Sequence, residues 1–101
     1  MKITEKLKAL REEKSLTQRQ IAADLDMDVA VYNRFEKGER QMKRDMILKI
    51  ANYYHVSATE LIKCWLAERV YSILEDEKLA GDVIGMVAEE IAGYGKKTGN
   101  A

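Results

Sequence analysis

The chain has 101 residues, 47% hydrophobic and 34% charged, and its 17 Lys and Arg are matched by 17 Asp and Glu. That length suits one domain with a modest core. The single cysteine excludes an internal disulfide, and no stretch is long or apolar enough to span a membrane. Met1-Lys2-Ile3-Thr4-Glu5 does not read as a signal peptide, so the expected home is a reducing cytoplasm. The zero net charge hides an asymmetry. Residues 1–56 carry 12 Lys and Arg against 9 Asp and Glu, whereas residues 57–101 carry 5 against 8. Five cations and two acids fall between Arg34 and Arg44. A basic front and an acidic rear suit a polyanionic partner met by one end only.

There is no proline, glycines are few, and apolar residues recur at helical spacing, which predicts an all-α fold of six helices. The first helix is expected from about Thr4 to Lys14, with Ile3, Leu7 and Leu10 on its buried side. Thr17 with Gln20 three residues later forms a capping box that starts the second helix at Gln18. Ile21, Ala22 and Leu25 give that helix one apolar stripe, with Ala22 small where another helix crosses. Asp28 caps the third helix, which turns Val31, Tyr32 and Phe35 inward and Val29, Ala30, Asn33, Arg34 and Lys37 outward. Gly38 closes it, being able to take positive φ.

The fourth helix is expected near Asp45 to Tyr54, with Met46, Ile47, Ile50 and Ala51 inward. His55 sits at the next corner in a C-terminal capping position, and Ser57 with Glu60 opens the fifth helix. The fifth pattern runs through Leu61, Ile62, Trp65, Leu66, Val70, Ile73 and Leu74 to about Lys78. A sixth helix spans Leu79 to Gly93, with Val83, Ile84, Val87, Ala88 and Ile91 in one stripe. The segments expected are therefore a domain over 3–63, a helical extension over 64–93 and a flexible tail over 94–101.

Two short helices joined by a tight turn, the second ending among cations, form a unit that can lay one helix face in the DNA major groove. Leu10-Arg11, Leu16-Thr17-Gln18, Ile21-Ala22, Leu25, Glu36-x-Gly38, Ile47, Ile50-Ala51, Val56-Ser57 and Leu61 together resemble the phage-repressor-like helix-turn-helix regulators, the Xre family. The resemblance covers roughly residues 3 to 62. It implies a five-helix repressor-like DNA-binding domain, here extended by C-terminal dimerisation helices. It also implies that Arg11 and Glu36 form a structural ion pair tying the first helix to the end of the third. Three positions depart from the family pattern. Asp26 stands where the turn usually has Gly, Tyr32 replaces Ile or Val, and Met42 sits where Pro is common. Asp tolerates left-handed backbone better than most residues, so the turn is expected to survive.

The residues expected at double-stranded DNA are Gln18, Asp28, Val29, Ala30, Asn33, Arg34, Lys37, Arg40, Lys43 and Arg44. Gln18 begins a helix and suits a phosphate, or is an ordinary first-turn polar residue. Val29 and Ala30 suit thymine methyls or pack under the domain. Arg34 is the candidate for guanine O6 and N7, against a phosphate-bound or solvated side chain. Asn33 is open between adenine and phosphate. The cations from Lys37 to Arg44 suit backbone phosphates.

Trp65, Leu66, Val70, Ile73, Leu74, Val83, Ile84, Val87 and Ile91 are the expected dimer interface, with packing of the same stripe onto the chain's own domain as the competing outcome. One His and one Cys supply neither a zinc set nor a catalytic couple, so no metal, cofactor or enzymatic activity is expected. The expectation is a nucleoid-associated transcriptional regulator binding a pseudo-palindromic operator as a homodimer and controlling its own gene. A phage-type repressor, a restriction–modification controller and an antitoxin with a toxin partner all fit. The rival is a protein-interaction module that keeps the fold and has lost DNA binding.

Overall fold

The computed structural model describes residues 2–99, with side chains through residue 93. The described residues form six helices: α1 (Ile3–Glu13), α2 (Gln18–Asp24), α3 (Val29–Lys37), α4 (Arg44–Tyr54), α5 (Ala58–Leu74) and α6 (Ala80–Gly99). The chain divides into two compact units, Met1–Arg69 and Val70–Ala101.

In the first unit α1 and α2 both pack against α3. The core takes Ile3 and Leu7 from α1, Ile21 and Ala22 from α2, and Tyr32 and Phe35 from α3. Met42, then Ile47, Ile50, Ala51 and Tyr54 of α4, and Leu61 and Cys64 of α5 complete it. These are the inward positions of the helical stripes, with Val31 half-buried against them. Burying an aliphatic side chain of this size is worth about 1.5–3 kcal/mol.

Four consecutive helices of this unit end alike. At each end one residue turns left-handed: Ser15 (φ 55), Asp26 (φ 56), Gly38 (φ 76) and His55 (φ 56). The residue after each donates its N–H back into the helix: Leu16 to Arg11, Met27 to Ala22, Glu39 to Arg34 and Val56 to Ala51, all at 2.9–3.0 Å. This pairing satisfies carbonyls that the helix end would otherwise orphan. Glycine is used only at Gly38, where an added Cβ would lie 3.6 Å from Thr4 Cγ2. Asp26 thus adopts the left-handed backbone expected of it, and His55 the capping position.

The helix starts are equally local. Thr17 and Gln20 exchange both capping-box bonds, Thr17 N to Gln20 Oε1 at 2.7 Å and Gln20 N to Thr17 Oγ1 at 3.1 Å. Asp28 Oδ1 accepts from Ala30 N at 2.7 Å, and Ser57 Oγ from Glu60 N at 3.3 Å. The α1 start has no local side-chain cap. Its Ile3 N–H instead donates to Glu68 Oε2 of α5 at 2.9 Å, closing the unit from 65 residues away.

The second unit holds the last residues of α5 and all of α6. α5 stops at Leu74, not near Lys78, because Glu75, Asp76 and Glu77 follow. Three carboxylates at the negative end of a helix dipole oppose its extension. α6 continues to Gly99, past the expected end at Gly93 and through most of the expected flexible tail. No proline interrupts it, and each interior glycine costs only about 1 kcal/mol. Residues 100 and 101 of that tail lie outside the described residues.

Candidate nucleic-acid interface

The capped start of α3 fixes which residues face outward. Val29, Ala30, Arg34 and Lys37 are all exposed, and Val31, Tyr32 and Phe35 are turned toward the core. Ala30, Arg34 and Lys37 succeed one another at spacings of four and three, so they line one stripe. The cationic run continues beyond the helix, with Arg40 exposed in the loop, Lys43 at the α4 N-cap and Arg44 as its first residue. The Arg40 guanidinium lies 6.0 Å from the centre of the Phe35 ring, a cation–π distance that holds the side chain near the α3 end. Arg40, Lys43 and Lys49 share a shallow pocket of about 330 Å³ with Asp45. Lys49 is a cation that the linear pattern did not single out; its place one and a half turns into α4 brings it there.

Behind this face stands a polar cluster. Arg11 Nε donates to Glu36 Oε2 at 2.8 Å and Arg11 Nη2 to Glu36 Oε1 at 3.1 Å, so the ion pair that the resemblance implied is present and is bidentate. A third donor, Arg11 Nη1, reaches the Leu16 carbonyl at 3.0 Å. Burial by itself pushes the Glu36 carboxyl up. The hydrogen bonds from Arg11 and Gln18, with the Tyr32 hydroxyl close by, outweigh it and hold the carboxyl below its ordinary 4.5. The bond to Glu36 in turn raises the Arg11 guanidinium above its already high range. Burial, and then the neighbouring carboxylate, push the Tyr32 hydroxyl far up. The Tyr32 and Tyr54 hydroxyls are buried without a well-formed hydrogen bond, so the larger side chain at position 32 brings a polar atom beneath the exposed helix.

Gln18 is engaged in a way the sequence did not reveal, and Asp28 in the capping role expected of it. Gln18 Nε2 donates to Glu36 Oε1 at 3.2 Å, and Gln18 Oε1 accepts from Asn33 Nδ2 at 2.8 Å. Asn33 is accordingly half-buried and not fully outward. Asp28 spends one oxygen on the α3 cap. Tyr53 of α4 donates to Asp24 Oδ2 at 2.6 Å, and that bond raises the Tyr53 hydroxyl to about 12. The Gln18 and Tyr53 contacts have no periodicity signature, since each joins side chains 15 to 29 residues apart.

The expected dimer residues divide. Trp65 is half-buried against the core of its own unit, with its Nε1 donating to the Met42 carbonyl at 3.1 Å and the Arg69 guanidinium 5.1 Å from the ring centre. An indole one turn after Leu61 meets a loop carbonyl that no helix bond satisfies, and packing within the unit follows. Leu66, Val70, Ile73, Ile84, Val87 and Ile91 are exposed, while Leu74 and Val83 are half-buried. Among the described residues no His, Cys, Asp and Glu are grouped to hold a metal, and no helix is long and apolar enough to cross a membrane.

A capped helix pair with an exposed basic second helix, braced by an ion pair from behind, is the architecture of a DNA-binding regulator. The family model described as helix-turn-helix matches residues 7–61, more than half of the chain, and the protein belongs to that family, in its phage-repressor-like Xre type. No curated protein and no solved structure matches the chain.

Proposed function

We propose that the protein is a transcriptional regulator that binds a pseudo-palindromic operator as a homodimer. The observation that carries this is the outward stripe of α3, where Val29, Ala30 and Arg34 stand exposed above a cationic rim of Lys37, Arg40, Lys43 and Arg44. Exposed apolar and bidentate groups suit base edges, and the rim suits phosphates on either side. Two-fold pairing is supported by the second unit, where none of the described residues of α6 is buried although Ile84, Met86, Val87 and Ile91 lie on it. A second copy of the same helix is an occupant that fits two-fold operator symmetry.

Selection from a randomised duplex library, with sedimentation of the same preparation, tests the proposal. The expected result is enrichment of an inverted repeat and a mass about twice that of the 11.6 kDa chain at micromolar concentration. A monodisperse monomer that enriches no sequence would overturn it.

A further inference from the structure

The carboxylate of Glu36 has no proton to give once ionised, so any amide facing it must present nitrogen. Gln18 does so, with Nε2 3.2 Å from Glu36 Oε1. The other branch of the Gln18 amide is therefore its oxygen, and it accepts from Asn33 Nδ2 at 2.8 Å. Turning either amide over would set oxygen against oxygen or nitrogen against nitrogen. A chain of two amides anchored on a carboxylate thus has one direction, and Arg11 holds the anchor with bonds of 2.8 and 3.1 Å. At its far end stands Asn33 Oδ1, to which no group among the described residues donates.

We propose that Glu36, acting through Gln18, fixes the Asn33 carboxamide with its oxygen free, so that Asn33 reads a base amino group in the major groove and does not bind phosphate. This rests on the DNA-binding reading above. A phosphate offers only acceptors, so it can take the second Nδ2 hydrogen and leaves the bare amide oxygen unpaired, whereas a base amino group satisfies that oxygen. The major groove offers amino donors at adenine N6 and cytosine N4 alone. Asn33 retains a second Nδ2 hydrogen, and with it the two-bond match to adenine N6 and N7, so adenine is the favoured base. Asn33 lies one helical turn after Val29, which places its base pair beside the one Val29 approaches. Gln18 is in this account a positioning residue. It touches no base and determines which face of Asn33 the DNA meets.

The test compares base preferences of the wild type, Asn33→Ala and Gln18→Ala in the randomised duplex selection. Wild type should favour adenine at one position of each half-site. Asn33→Ala should flatten that position alone and weaken binding to the enriched duplex about 5- to 150-fold, with affinity for unrelated DNA unchanged. Gln18→Ala should flatten the same position, and the double variant should flatten it no further. Gln18→Met serves if the alanine variant fails to fold. Without DNA, the Asn33 side-chain amide resonances should move when Gln18 is replaced and when Glu36 is titrated with acid.

An unchanged base profile in Asn33→Ala, or a uniform loss across enriched and unrelated duplexes, overturns the proposal. So do Asn33 amide resonances that ignore Gln18. A wild-type chain that enriches nothing overturns the DNA-binding reading and takes this proposal with it.

Discussion

The two units of this chain use the same residue types in opposite ways. In Met1–Arg69 the apolar stripes close on one another, and every buried hydrophobic side chain described lies at or before Cys64. In Val70–Ala101 stripes of similar composition remain open, with Ile73 76% and Ile91 67% exposed. Local caps, left-handed helix ends and an ion pair fix the first unit from within. The second has helices and no described buried residue of its own. A helical pattern in sequence therefore says that a face is apolar, and only the surroundings say what covers it.

The sharpest way to test that contrast is to truncate one apolar residue in each unit. Ile47 is completely buried, so Ile47→Ala should cost about 2–5 kcal/mol of folding stability, read as a large fall in Tm. Ile73→Ala should leave the first unit's stability within about 0.5 kcal/mol of wild type, because an exposed side chain loses little on truncation. Ile73→Glu with Ile91→Glu should instead convert the proposed dimer to monomer in sedimentation. Equal losses of stability from the two alanine truncations would erase the distinction.

The next effect concerns the brace behind α3. Glu36→Ala leaves Arg11 partly buried and unpaired, and breaking such a pair costs about 3 kcal/mol. The pH dependence has a defined sign. Because the folded Glu36 carboxyl is held below its ordinary 4.5, its contribution is fully present above that value and is lost as pH falls through the lower folded value. Melting curves should therefore show an acid-side loss of stability that Glu36→Gln reduces. An unaltered acid limb in that variant would remove Glu36 from the account.

Smaller effects belong to the exposed face. Arg34→Ala should leave Tm nearly unchanged and lose about 1–3 kcal/mol of discrimination at one base pair. Lys43→Ala should weaken all duplexes alike and reduce the salt slope by about one. Exchanged outcomes, with Arg34 needed for folding and Glu36 for base choice, would mean that α3 is rotated from the orientation described.

Much of the first unit was legible in the sequence because its determinants are local. The Thr17–Gln20 box, the Asp28 cap, Gly38 and the stripe through Ile47, Ile50 and Ala51 each lie within a few residues of what they control. The outward set of α3, Asn33 apart, followed from 3.6-residue periodicity once its cap was placed. The Gln18–Asn33 and Gln18–Glu36 bonds escaped, since polar side chains 15 and 18 residues apart carry no repeat. Trp65 was ambiguous for a related reason. An aromatic residue on an amphipathic helix is equally at home in a core or a seam, and the Met42 carbonyl that claims it is 23 residues away. The end of α5 was missed because its apolar pattern runs on, while the run of acids at Glu75–Glu77 decides where the helix dipole tolerates an end.

In the proposed complex the exposed α3 face meets DNA twice, once from each of two copies joined through their second units. Footprinting the full chain on its selected duplex tests the α3 contact and the pairing at once. Two protected half-sites related by two-fold symmetry are expected, with centres about 10–10.5 bp or a multiple apart on one face of the DNA. A single asymmetric protected half-site, bound by one copy of the chain, would contradict the proposed complex.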